Sequence, residues 1–108
     1  MKLALLNTSI LTTGGVYSLV DMELEGARQL VAENIENLDS AVGHKATAEV
    51  MTTLLGTDIP VNRQVFTQKV GQQALVFKLN GRPEEGKVLT VSDLEQMGYK
   101  FQLLTRVL

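Results

Sequence analysis

A short apolar run near the start of the chain is the feature that most constrains the fold. Residues 2–7 read KLALLN and lead into the polar cluster NTS at 7–9, a pattern typical of a buried central strand. Residues 15–23 alternate well enough for a second strand after the turn-like TTGG. Residues 24–35 keep apolar side chains at helical spacing. The first third of the chain therefore predicts a mixture of strands and helices.

The middle of the chain continues this mixture. After a polar linker at 36–40, residues 44–55 carry an amphipathic helical stripe that ends at Gly56. The stretches 60–70 and 72–79 then predict a β-hairpin.

The carboxyl-terminal region predicts a loop, a helix and a strand. Residues 81–87 read GRPEEGK and form a loop by their glycine and proline content. Ser92 and Glu95 have capping-box spacing for a short helix that ends at Gly98, and residues 100–108 close the chain as a last strand. The whole pattern predicts an α/β (α+β) fold, with a mixed β-sheet of about five strands flanked by helices.

Composition places residues 1–108 in a single domain and excludes several kinds of site. Apolar residues make up 44% of the chain and charged residues 20%, as in ordinary globular proteins. With no cysteine there is no disulfide framework, thiolate-bound zinc or cysteine nucleophile. Because no apolar run is long enough to span a bilayer and no signal peptide is recognisable, we expect a soluble cytoplasmic protein with no membrane partner.

Charge is distributed unevenly. The net charge of −2 excludes a global basic field for long nucleic acid. Residues 1–40 carry two basic and six acidic side chains, whereas residues 41–108 carry eight basic and six acidic ones. A small anion bound mainly by the second half is therefore compatible with the sequence.

His44, the only histidine, is the first candidate for chemistry. If Gly43 or Ser40 caps the second helix, His44 lies in the first turn, where unpaired amides and the helix dipole favour an anion such as phosphate. The residues that share its helical stripe are Ala48, Met51 and Leu55. His44 is then expected to lean toward the body of the protein, at the floor of a cleft. The alternative, favoured by these facts alone, is a capping or partly buried structural histidine.

The loop after the 72–79 stretch is the second candidate. Its charged residues are Arg82, Glu84, Glu85 and Lys87. The planar fork of an arginine suits a phosphate, and a carboxylate nearby could orient that arginine or hold a histidine protonated. The alternative is a solvated charged turn.

Two further stretches could contact an anion. Asn7, Thr8 and Ser9 offer amide and hydroxyl donors after the first strand, where open α/β sheets commonly bind ligands. Their alternative is a turn that satisfies its own backbone. Arg63 adds one more guanidinium, and its alternative is an ordinary surface arginine.

Five stretches, taken in order, carry a family resemblance: LLNTSI, AVGHKAT, LLGT, NR and RPEEGK. Together they resemble the small ring nucleases of type III CRISPR biology, which include viral anti-CRISPR enzymes and cellular relatives. The paired signatures G-H-x-x-T and R-x-E-E-G-K are the most specific part. The resemblance covers nearly the whole chain. It implies a homodimer with a mixed sheet flanked by helices, which binds cyclic tetra-adenylate across the subunit interface and degrades it without a metal or other cofactor.

The same resemblance implies roles for individual residues. His44 maps to the catalytic histidine of the family, and Arg82 and Glu85 map to the arginine and second glutamate of its loop. Arg63 and Asn7 map to ligand-binding positions. The expected products are linear adenylates with 2′,3′-cyclic phosphate ends, so the activity would switch off type III CRISPR antiviral signalling.

The chain also departs from the family pattern. The hydroxyl contact after strand one falls on Ile10 in an ungapped comparison with archaeal viral members, so either Thr8 or Ser9 supplies the contact or it is absent. Gly81 replaces a glutamine, and Lys45 and Ala46 replace an aspartate-serine pair. These changes affect individual ligand contacts more than the reaction.

A second class of function competes with the enzyme. The protein could be a non-catalytic sponge for cyclic nucleotides or a small nucleic-acid-binding regulator, and the altered contacts favour this class. The absence of a net basic charge counts against a long nucleic acid, and the presence of His44, Arg82 and Glu85 counts against a pure sponge.

Overall fold

The computed structural model describes residues 1–82, 86 and 88–108. Over these residues the chain folds into one compact α+β domain with a five-stranded mixed sheet and three helices. The elements in chain order are β1 (Leu3–Leu6), β2 (Tyr17–Met22), α1 (Leu24–Glu33), β3 (Leu38–Ser40), α2 (Lys45–Leu55), β4 (Gln73–Leu79), α3 (Val91–Met97) and β5 (Tyr99–Arg106). The fold class expected from the sequence is confirmed.

The strand order is β2-β5-β4-β1-β3. β1 runs parallel to both of its neighbours, β3 and β4, whereas β5 runs antiparallel to β4 and β2. The parallel strands β4, β1 and β3 are adjacent and point the same way, so all three end at one edge of the sheet. We call this the carboxyl edge.

The sheet is covered on both faces, and the central strand β1 shows this most clearly. All four of its residues are buried, which confirms the predicted buried strand. Leu3 and Leu5 belong to the larger core cluster, which the three helices complete. Ala4 and Leu6 belong to a second cluster on the opposite face, where Phe66 covers them. Because successive side chains of a strand alternate between faces, a strand with both faces covered is apolar throughout.

The predicted hairpin is wrong in its first half. β4 forms as expected, but residues 60–70 form no strand. Burial does alternate in this stretch, since Phe66 and Gln68 are buried while Val65, Thr67 and Lys69 are exposed. The alternation arises because the chain crosses one face of the sheet in an extended form and packs Phe66 on it, without a ladder partner.

The predicted linker at 36–40 contains the edge strand β3. Its three residues pair with β1, Leu3 opposite Leu38 and Leu5 opposite Ser40. Hydrogen bonds between side chains and backbone carbonyls hold the stretch that starts at Pro60 beside β3. The Ser40 hydroxyl donates to the Pro60 carbonyl at 2.7 Å, and the Asn62 side-chain amide donates to the Ser40 carbonyl at 2.9 Å.

Two helix ends test local sequence rules. α2 ends at Gly56, whose φ of +69° is in the left-handed region that glycine adopts readily, as predicted. The capping box of α3 is formed by Thr90 and Asp93, each two positions before its counterpart in the predicted Ser92 and Glu95 pair. Both pairs fit the general pattern, but the helix begins at Val91, so Thr90 is its N-cap residue and Asp93 completes the box. No helix in the described part of the chain is long and apolar enough to cross a membrane.

Candidate functional site

Three predicted site segments meet at the carboxyl edge because of the strand order. Asn7 directly follows β1, His44 follows β3 and precedes α2, and Arg82 lies three residues after the end of β4. Although they are far apart in sequence, the three strands are neighbours and parallel. Ligands of α/β sheets bind outside the carboxyl ends of such strands.

His44 and Arg82 line one cleft of about 780 Å³ at this edge. The other lining residues in the described part of the chain are Lys45, Ala46, Thr47, Glu49 and Gly86. The cleft thus brings together the two motifs that the sequence singled out, the G-H turn and the loop arginine. The described walls carry one lysine, one arginine and one histidine side chain, and their one carboxylate is that of Glu49. These walls therefore suit an anionic ligand.

His44 occupies the N-cap position of α2, where its backbone is extended, with φ −125° and ψ 128°. The expectation that Gly43 or Ser40 caps the helix is therefore wrong. The expectation that His44 leans into the body of the protein is also wrong. The helix begins one residue later, at Lys45, so His44 lies outside the buried stripe and its side chain is exposed.

The His44 side chain makes no capping hydrogen bond to the first turn of α2. Its carbonyl accepts the Ala48 amide at 3.0 Å, which is an ordinary start of a helix. His44 thus occupies the N-cap position of the structural alternative, but its side chain does not cap the helix and is not buried. The imidazole and the amides of the first helical turn stand side by side at the cleft, and both can donate to a phosphate.

Arg63 packs against Gly43, next to His44 along the chain. A Cβ atom added to Gly43 would lie 3.3 Å from the Arg63 Cγ, which is tighter than an ordinary contact. The Asn62 amide donates to the Val42 carbonyl at 2.9 Å and fixes the arginine beside this turn. A Cβ atom at position 43 would require the Arg63 side chain to shift by a few tenths of an ångström. The structure thus brings Gly43, His44 and Arg63 together, although Arg63 does not line the cleft.

Asn7, Thr8 and Ser9 lie at the carboxyl edge but do not line the His44 cleft. Asn7 is half-buried and Thr8 is exposed. The Ser9 hydroxyl is buried and has no hydrogen-bond partner among the described atoms. Ile10 packs against the second core cluster and so supplies no polar side chain to a ligand.

Several cleft residues were not identified from the sequence, and one predicted residue cannot be placed. Lys45 and Glu49 are exposed and lie one turn apart on α2, so a helical wheel groups them, whereas the half-buried Thr47 lies off that stripe. Glu85, the predicted catalytic carboxylate, lies outside the described residues, as do Glu84 and Lys87. Among the described residues, no group of histidine and acidic side chains could hold a metal ion.

Charge interactions elsewhere in the described chain involve strands that do not contribute to the cleft. The Asp21 carboxylate lies 3.6 Å from the Lys100 ammonium, and it accepts a hydrogen bond from Gln102 at 3.0 Å. This hydrogen bond, together with the lysine charge, lowers the pKa of Asp21. The pair connects the exposed ends of β2 and β5, and neither residue lines the His44 cleft.

The fold is shared with a solved viral protein. The structure of B116 of Sulfolobus turreted icosahedral virus (STIV) superimposes with a TM-score of 0.88, covering 98% of this chain and all of the other. The two sequences are 24% identical, so this match establishes the common fold alone.

Relatives occur in a bacterium and in viruses. The chain is 36% identical over 107 residues to the uncharacterized protein YddF of Bacillus subtilis (strain 168), covering 99% of each chain. It is 45% identical over 85 residues to uncharacterized protein 26 of Sulfolobus islandicus filamentous virus, covering 77% of this chain and 70% of the relative. It is 35% identical to the uncharacterized protein ORF117 of Acidianus two-tailed virus, covering 97% and 93%. The family described as STIV B116-like matches residues 3–101, which span the whole carboxyl edge and its cleft. The chain therefore belongs to the STIV B116-like family.

Proposed function

We propose that the protein is a metal-independent ring nuclease that binds cyclic tetra-adenylate at a dimer interface and cleaves it to linear adenylates. The observation that carries the proposal is the single cleft lined by His44 and Arg82, which come from the ends of two different strands. A proton donor and a phosphate-binding guanidinium beside a helix amino terminus are the groups that transesterification of RNA needs. The resemblance of the G-H-x-x-T and R-x-E-E-G-K motifs to ring nucleases supports the same reaction.

The substrate supplies its own nucleophile in this mechanism. A ribose 2′-oxygen attacks the adjacent phosphorus and gives its proton to solvent water, the bond from phosphorus to the 5′-oxygen breaks, and that leaving oxygen takes up a proton. His44, as imidazolium, donates the proton to the 5′-oxygen, a role worth roughly 10²- to 10⁴-fold in rate. The products are linear adenylates ending in a 2′,3′-cyclic phosphate. This outcome would remove the cyclic signal of type III CRISPR defence, in the cytoplasm of a prokaryotic cell.

Charge stabilisation is the second part of the mechanism. Arg82 and the first-turn amides of α2 would bind the phosphate on which negative charge builds up, and Arg63 would bind a flanking phosphate. Glu85 retains its proposed role as a catalytic carboxylate that holds the histidine protonated. Asn7, Thr8 and Ser9 would bind the ring from the end of β1, which lies between the strands that lead to His44 and Arg82.

One observation favours a second candidate. His44 makes no hydrogen bond to another described side chain, and catalytic histidines are usually oriented by one. A non-catalytic binder of cyclic nucleotides would use the same cleft and need no oriented imidazole.

Incubation with labelled cyclic tetra-adenylate in excess chelator separates the two functions. We expect conversion of the ring to linear products at a rate that does not depend on the chelator. A ring that stays bound but intact after prolonged incubation at high protein concentration would establish the binder. A ring that is neither bound nor cleaved would rule out both functions.

A further inference from the structure

A second cavity adjoins the His44 cleft along α2. It is a groove of about 530 Å³ between α2 and residues 58–61, and it shares Lys45, Ala46 and Glu49 with the cleft. Its volume is within the range of about 300 to 1,000 Å³ that is typical of small-molecule sites. Because the two cavities share one wall, a ligand that extends beyond a phosphate bound at His44 reaches the groove next.

The groove has an apolar base and side. Val50 and Ile59 are buried beneath it, and Val61 and Leu89 form parts of its wall. Flat heterocycles are held in protein sites between apolar side chains, which replace the stacking partners of the base. An apolar surface beside an anion cleft thus matches the two halves of a nucleotide, its base and its phosphate.

Besides the shared Lys45 and Glu49, the groove has three polar side chains, those of Thr52, Thr53 and Asp58. The Thr52 hydroxyl is already occupied, since it donates to the Ala48 carbonyl at 2.8 Å and accepts the Ile59 amide at 2.9 Å. The Thr53 hydroxyl donates to the Glu49 carbonyl at 3.1 Å. The Asp58 carboxylate, by contrast, makes no hydrogen bond or ion pair to any residue in the described part of the chain. A ligand group that contacts Asp58 should therefore be a donor, such as the 6-amino group of adenine.

We propose that this groove is a base subsite, in which an adenine packs on Ile59 and Val61 and donates its 6-amino group to Asp58. The inference rests on the proposed function, because it places the base of the same ligand whose phosphate lies at His44. It assigns to Asp58 the selection of adenine, which the His44 cleft by itself does not provide.

The test compares cyclic tetra-adenylate with the same ring built from purine, which lacks the 6-amino group. Binding is measured by calorimetry with His44→Ala protein, so that neither ring is consumed. We expect the adenine ring to bind about tenfold more tightly, because the purine ring leaves the Asp58 carboxylate without a donor. The further change Asp58→Ala should bring the two affinities to within about twofold, whereas the matched change Glu36→Ala, away from both cavities, should leave the tenfold preference intact.

The outcomes distinguish the subsite from the function on which it rests. Equal binding of the two rings by the protein with Asp58 intact would overturn the base subsite and leave the ring-binding cleft standing. A preference that survives Asp58→Ala would remove Asp58 from the assignment and overturn the proposal. Failure to bind either ring would overturn the proposed function and the subsite together.

A second pair of variants tests the apolar wall. Val61 and Val70 are 46% and 52% exposed, and Val70 lies outside the groove. Val61→Asp should weaken ring binding about tenfold or more, since it places a charge against the base, and Val70→Asp should leave binding unchanged. Loss of oligomerisation on Val61→Asp, measured by light scattering, would instead identify the groove as a contact between copies of the chain and overturn the proposal.

Discussion

At the scale of single residues, His44 and Arg82 are distinguished by position. His44 ends the extended backbone after β3, and its exposed side chain makes no hydrogen bond to the first turn of the helix that follows. Arg82 enters the same cleft from the end of β4. One can donate a proton and the other offers a permanent charge, so their removal should have different effects.

His44→Ala should leave ring affinity almost unchanged and slow cleavage by two or more orders of magnitude, the loss expected for a missing general acid. The measurement is single-turnover cleavage alongside equilibrium binding. A thermal unfolding midpoint equal to that of the wild type serves as the control, because the exposed imidazole makes no capping bond. Wild-type cleavage by a folded His44→Ala protein would disprove the mechanism.

Arg82→Ala should weaken binding by about 1.5 to 3 kcal/mol, the cost of one charge-assisted contact. Arg82→Lys is the matched control, since it keeps the charge and loses the planar fork of donors. We expect its affinity to lie between those of the wild type and the alanine variant. If all three proteins bind the ring equally in a titration, Arg82 does not touch the phosphate.

At the scale of elements, the start and the end of α2 have different roles in the site. The start carries the cleft residues, and the end is a left-handed turn at Gly56, whose amide donates to the Thr52 carbonyl at 2.9 Å. Residues 60–64 return from this turn to β3 and bring Arg63 against Gly43. The position of Arg63 thus depends on how α2 ends.

Gly56→Ala should lower the free energy of unfolding by about 1 to 2 kcal/mol, because alanine is strained at a positive φ. Gly14→Ala is a close control. Neither glycine has a heavy atom within 4 Å of an added Cβ, but only Gly56 has a positive φ. Urea denaturation of both variants gives the comparison. Equal stabilities would show that the turn relaxes without cost.

At the scale of the whole molecule, the described walls of the cleft are the start of α2, Arg82 and Gly86. A cyclic tetranucleotide has two-fold symmetry, and a two-fold dimer can present one His44 to each of two opposite phosphodiester bonds. Two chains facing each other would hold the ring between their two clefts.

We therefore expect light scattering to give about twice the 11.8 kDa mass of the chain at micromolar concentration. The ligand should strengthen the dimer, since a ring bound between two chains stabilises their association. The mass is measured with and without cyclic tetra-adenylate. A strict monomer in both conditions would contradict the shared pocket.

Some features follow from the sequence because their causes are local. The apolar run of β1 specifies a strand covered on both faces, and Gly56 specifies the end of α2 through the steric limits on φ. The motif resemblance also selected His44 and Arg82, whereas their residue chemistry alone left a structural histidine and a solvated charged turn as alternatives.

Other features were decided only by the tertiary structure, because they depend on partners distant in sequence. Three residues of a polar stretch form β3 because they pair with β1. Residues 60–70 alternate like a strand, but they pair with no strand and instead cover a face of the sheet. Alternating burial records which side chains meet apolar surface and does not specify whether the backbone has a partner. For the same reason the cleft could not be read from spacing: His44 and Arg82 meet because β3, β1 and β4 run parallel and end at one edge.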